Sequence, residues 1–203
     1  MDLPAARGRL ATLILDGLGA GERRARSELS PETLYATVLY SASGFRGLVV
    51  AVNTREALDR TAGNRTGVDA GLLEMLKDHP DLLAKAVASS TPEPDVCVCD
   101  WEYVYSDLPH EDAEKLIDDL YEYFYELDWE PEPISDWFLE TVSIAVQEFA
   151  RSLPQNNGLL LGLQFSDPSV AETRMMEGIS EMVNSPFWHA KVMAACNVLR
   201  ETS

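Results

Sequence analysis

The chain has 203 residues, is 46% hydrophobic and 8% aromatic, and carries a formal net charge of −18. A chain of this length and composition can bury roughly 70% of its unfolded surface, which excludes a disordered acidic chain. The charge excludes direct binding to nucleic-acid phosphate or anionic lipid without a concentrated basic patch. The one candidate patch, Arg7, Arg9, Arg23, Arg24 and Arg26, is broken by glycines and lacks aromatics, so it reads as a solvated face or a frayed terminus. One acidic domain spanning residues 1–203 is expected, and no apolar run approaches the length needed to span a bilayer. Three cysteines, two of them two residues apart, argue against a disulfide framework. With no secretory leader in view, the expectation is a cytoplasmic protein.

In chain order, Leu10, Leu13, Ile14 and Leu18 recur at helical spacing and predict a helix over Leu3 to Leu18, ended by Gly17, Gly19 and Gly21. Thr33 to Ser41 and Arg46 to Asn53 are β-branched and apolar runs about a Ser43-Gly44 turn, predicting an antiparallel hairpin. Arg55 to Arg60 fits one or two helical turns, and Leu72 to Val87 fits a longer helix with Pro80 at a boundary or kink. Val96 to Tyr105 predicts a third strand with a bulge near Asp100.

Pro109 to Leu127 predicts a helix with Leu116, Leu120, Phe124 and Leu127 on one face and Asp118, Glu122 and Glu126 on another. Glu130-Pro131-Glu132-Pro133 reads as a break, with Ser135 capping a helix from Trp137 to Leu153. Leu159 to Phe165 reads as a buried central strand, followed by two helices split at Asn184-Ser185-Pro186. This order predicts an α+β fold: a small, largely antiparallel sheet of about four strands with helices packed mainly on one face.

The charge is not spread evenly. Between Glu93 and Glu148 there are 18 acids and the single base Lys115, which places 17 of the 18 net negative charges there. Aromatics are interleaved with them. Unmixed acids at four-residue intervals repel by about 0.2–0.5 kcal/mol per pair, whereas a surface selected for solubility alone mixes signs. A basic protein partner that neutralises the stripe would account for it. Asp118, Glu122, Glu126 and Asp128 are the candidate charged contacts. Tyr121, Tyr125 and Trp129 are candidate apolar anchors, with core packing as the competing use of each.

No catalytic motif is found. His79, His110 and His189 have no metal-ligand spacing, Cys97 and Cys99 read as buried structural cysteines, and no Gly-rich phosphate loop follows a strand, so neither a cofactor nor a metal is expected. A carboxylate-dependent enzyme built on Asp100, Glu102 and Asp107, and a structural or regulatory homo-oligomer, are the alternatives from other classes. Oligomeric state is left open by the sequence.

Through Tyr35-Ala-Thr-Val-Leu-Tyr40, Val50-Ala-Val-Asn-Thr-Arg-Glu56 and Asp100-Trp-Glu-Tyr103, the chain resembles the bacterial domain-of-unknown-function family numbered 4303 over about Thr33 to Phe165. The resemblance implies a small cytoplasmic bacterial protein encoded near polymorphic toxins. An immunity role against a basic toxin, a nuclease among them, is the function it implies. It supplies no catalytic residues.

Overall fold

The structure is a computed structural model that describes residues 1–64, 79, 95–109, 111–154 and 158–202. The helix expected over Leu72 to Val87, its Pro80 boundary and His110 lie outside the described residues. Six α-helices and four strands are described: α1 Leu3–Glu28, β1 Leu34–Ala42, β2 Arg46–Thr54, α2 Arg55–Asn64, β3 Tyr103–Tyr105, α3 Glu111–Glu126, α4 Pro131–Ser152, β4 Leu160–Phe165, α5 Val170–Val183 and α6 Pro186–Thr202. The fold is α+β. No described helix is long and apolar enough to cross a membrane.

The sheet runs β3-β2-β1-β4. β1 and β2 form the expected antiparallel hairpin, with Leu39 opposite Val50, and β3 joins β2 antiparallel. β4 runs parallel to β1, so the sheet is mixed. Contrary to the sequence expectation, β4 lies at an edge, although all six of its residues are buried. Its apolarity comes from cover on both faces. Asn184 closes its outer edge: the amide oxygen accepts from Leu161 N–H at 2.9 Å and the amide nitrogen donates to Leu161 C=O at 2.7 Å. The side chain thus takes the place of a further strand.

Helices cover both faces of the sheet, not mainly one. A Cβ on Gly21 of α1 would stand 2.6 Å from Val50 Cγ1, so α1 lies on the face that Val50 presents. Phe138 of α4 joins that side by stacking on Phe45 at 4.8 Å, and Phe45 meets Phe165 edge-on at 5.2 Å. Asn53, three residues from Val50, points the other way and donates to Tyr35 Oη at 2.9 Å. The Tyr35 ring stacks on Trp188 of α6 at 5.6 Å. The buried apolar residues of both sides form one continuous cluster.

Three local expectations change for physical reasons. Gly17, Gly19 and Gly21 do not end α1, which continues to Glu28; Gly17 and Gly21 let it approach Pro109 and Val50. The third strand shrinks to Tyr103–Tyr105, because the Gln164 amide takes Val98 N–H at 3.1 Å and Val96 C=O, and Val98–Asp100 forms a single 3₁₀ turn. Pro131 opens α4 instead of breaking the chain, since a first-turn proline needs no N–H partner and has a helical φ already. Ser135 therefore lies inside α4. The split between α5 and α6 falls where expected, with Trp188 N–H donating to Ser185 Oγ at 3.4 Å.

Candidate functional site

The acidic helix α3 follows the predicted pattern except at Leu127, which was expected on the apolar face but lies past the helix end and is exposed, because the chain turns back there. Ala113, Leu116, Ile117, Leu120 and Phe124 are buried, and Asp118, Asp119, Glu122 and Glu126 are exposed. None of these four carboxylates has a hydrogen bond or ion pair among the described residues. Several arginines pair with other carboxylates, as in Arg7 with Glu140 at 2.7 Å, Arg24 with Asp107 at 3.0 Å and Arg200 with Glu177 at 2.6 Å. Like charges one turn apart repel. Glu122→Lys faces both Asp118 and Glu126 and should raise stability by about 0.5–1 kcal/mol at low ionic strength. Urea unfolding at low and at about 1 M salt checks this, with the gain fading at high salt.

The end of α3 builds the aromatic part. Trp129 N–H donates to Phe124 C=O at 3.1 Å and Asp128 N–H to Tyr125 C=O at 3.2 Å, the paired bonds of a Schellman motif. Asp128 occupies the left-handed position of that motif, at φ 49°. The motif turns Trp129 back so that its ring stacks on Phe124 at 4.7 Å. Trp129 thus packs against the core with one face and stays partly accessible.

A cleft of about 600 Å³ opens beside this turn, lined by Tyr121, Tyr125, Asp128 and Trp129 from the predicted set and by Arg46, Ile134 and Glu172 among others. That volume is in the range of ligand and side-chain pockets. Tyr125 is 80% exposed at its rim. Tyr121 is a structural wall: its hydroxyl donates to Gly44 C=O at 2.6 Å, its ring stacks on Phe138 at 5.4 Å, and burial pushes its phenol up to about 12. Asp118, Glu122 and Glu126 do not line the cleft, so the seven predicted residues divide between it and an exposed flank.

The opposite wall was not foreseen. Glu172, only 5% exposed, accepts from Gly44 N–H at 2.7 Å, from Ser43 Oγ at 2.9 and 3.0 Å, and from Ser169 N–H at 2.8 Å. Burial pushes its carboxyl up, but the Gly44 and Ser169 N–H groups and the serine hydroxyls outweigh it and hold the group below the ordinary carboxylate range. These bonds clamp the 43–45 turn, where Gly44 (φ 75°) and Phe45 (φ 59°) are both left-handed. Phe45 and Asp128 are the non-glycine residues of positive φ among those described, and both adjoin this cleft. Backbone strain held by its surroundings gathers at functional sites. Arg46 follows the turn, its guanidinium 5.9 Å from the Tyr121 ring centre.

The carboxylates proposed for an enzyme do not converge. Glu102 pairs with Arg60 at 2.9 Å and Asp107 with Arg24 at 3.0 Å, two separate arginines on exposed surface, and the side chain of Asp100 is outside the described residues. Among the described residues no group of three or more His, Cys, Asp or Glu gathers as a metal site would. Comparison with protein-family models, with curated proteins and with solved structures finds no match to this chain.

Proposed function

We propose that this chain is an inhibitory protein-binding protein, an immunity protein that neutralises a basic cognate toxin, with a nuclease as the best-fitting class. The observation that supports this reading is the row Asp118, Asp119, Glu122 and Glu126, exposed and without partners among the described residues, on the same helix as Tyr125, whose exposed ring rims the cleft. Lys and Arg of the partner pair with the row. An apolar or cationic side chain of the partner enters between Tyr125 and Trp129, with Asp128 beside it. The resemblance to family 4303 points to a toxin as that partner, and nucleases carry basic surfaces to hold phosphate. Affinity capture from the source cell's lysate at low salt, with mass-spectrometric identification, should recover one basic protein that about 1 M salt releases. Recovery of an acidic or neutral protein insensitive to salt would overturn the electrostatic reading.

A further inference from the structure

Cys97 and Cys99 were expected to be buried, but Cys99 is exposed and Cys97 half-buried. Their sulfurs lie on the same side of the chain, 2.7 Å apart. The backbone around them is held in place. The amide of Gln164, more than nine-tenths buried on β4, binds the main chain on either side of Cys97, at Val96 C=O and Val98 N–H. Trp101 N–H donates to Val98 C=O at 2.9 Å and closes the turn that carries Cys99. Tyr40 faces the pair across a small hollow that also reaches Gln164 and Met176. Its phenol is raised by burial first and then by the charge of Cys99 and Cys97.

We propose that Cys97 and Cys99 form an intramolecular thiol pair that closes reversibly to a disulfide when a peroxide oxidises it. A sulfur–sulfur bond is about 2.05 Å long, and these two sulfurs already touch across one turn, within reach of such a bond. Among the described residues no group of three or more His, Cys, Asp or Glu gathers around them as a metal site would need. Fixing both thiols on one turn gives the second a high effective concentration at the first.

The reaction balances with hydrogen peroxide as the named oxidant. The Cys99 thiolate, the more accessible, attacks one peroxide oxygen, the O–O bond breaks, and hydroxide leaves as water after taking a proton, giving the sulfenic acid. The Cys97 thiolate then attacks that sulfur, forming the S–S bond and expelling the oxygen as a second water. The two sulfurs lose two electrons in all, and the peroxide gains them. Cys196 stays out of the reaction, being fully buried in α6 with its thiol pushed up to about 12 by burial.

The test is peroxide treatment of the reduced, chelator-stripped full chain, followed by alkylation in denaturant and peptide mass spectrometry. The expected product has lost about 2 Da, with Cys97 and Cys99 linked and Cys196 alkylated, and dithiothreitol added before the alkylation leaves all three cysteines alkylated. Cys99→Ser abolishes the mass loss, and Cys196→Ser leaves it unchanged. Separate alkylation of Cys97 and Cys99 after peroxide would overturn the proposal, as would linkage between two chains. Stoichiometric zinc uptake that protects both thiols from peroxide would assign the pair to a metal and overturn it too.

Discussion

Glu172→Ala should lower stability by about 3 kcal/mol, a large share of the ~5–15 kcal/mol typical of a folded domain. The substitution leaves three donors, the N–H groups of Gly44 and Ser169 and the Ser43 hydroxyl, facing a hole where a buried carboxylate stood. It also removes half of the capping box that opens α5, in which Ser169 and Glu172 satisfy each other's backbone N–H. In a chain of this length such a loss lowers the melting temperature by roughly 6–12 °C.

The same group sets a pH dependence with a definite sign. Its folded pKa lies below the ordinary carboxyl value, so its contribution is fully present above the unfolded value of about 4.3 and is lost as pH falls through the folded one. The stability gap between wild type and Glu172→Gln should therefore be constant from about pH 7 to 5.5 and shrink below about pH 4.5. Urea midpoints across that range check it, and a gap that widens on acidification would contradict it.

Helix α1 gives the second large effect, because three glycines on one helix should respond with different signs. Glycine to alanine at an open helical site stabilises by about 0.5–1 kcal/mol. Gly8 is such a site, with nothing within 4 Å of a Cβ among the described residues, and Gly8→Ala should stabilise. At Gly21 the new methyl would stand 2.6 Å from Cγ1 of Val50, which is fully buried and held by its β-branch. At Gly17 it would stand 2.7 and 2.8 Å from Cβ and Cα of Pro109, the latter part of the main chain. Overpacking of this kind costs about 1–3 kcal/mol or more, so Gly21→Ala and Gly17→Ala should each destabilise by about 2 kcal/mol net of the helix gain. Stabilisation by all three would mean that α1 does not sit against the sheet and Pro109 at this distance.

These glycines also mark where the sequence misleads. As local signals they read as a helix terminus, because glycine disfavours the helix interior, yet the close packing of α1 on Val50 and Pro109 outweighs that preference. The hairpin and α3 were legible because their periodicity is local: alternating β-branched residues in Thr33 to Asn53, and leucines at three-to-four spacing from Leu116 to Phe124. The third strand was overextended because its backbone partners are side-chain atoms of Gln164, 66 and 68 positions away. β4 was legible as a buried strand but not as an edge, since burial records cover on its faces and not pairing beside it.

The candidate site was half legible. Tyr125, Asp128 and Trp129 were found from charge and aromatic pattern, but that pattern could not divide Tyr121, hydrogen-bonded into the 43–45 turn, from Tyr125, left exposed beside it. Arg46 and Glu172 reach the cleft from elements far apart in the chain. One signal was present for Glu172: Ser169-Val-Ala-Glu172 has the spacing of a capping box. It announces a helix start, while the bonds from Glu172 to the 43–45 turn depend on the packed fold.

The protein interface proposed for the α3 row and its neighbouring cleft can be tested by kinetics. The most direct test is the association rate of the captured basic partner at low salt with the Asp118→Lys/Glu122→Lys/Glu126→Lys protein. A control, Asp16→Lys/Asp59→Lys/Glu181→Lys, makes the same change in net charge at three exposed acids on other helices. Steered association depends on where the charge lies as well as on how much there is, so the α3 variant should slow at least ~10-fold and the control only a few-fold. Equal rates for the two variants, or an α3 variant as fast as wild type, would remove this face from the interface.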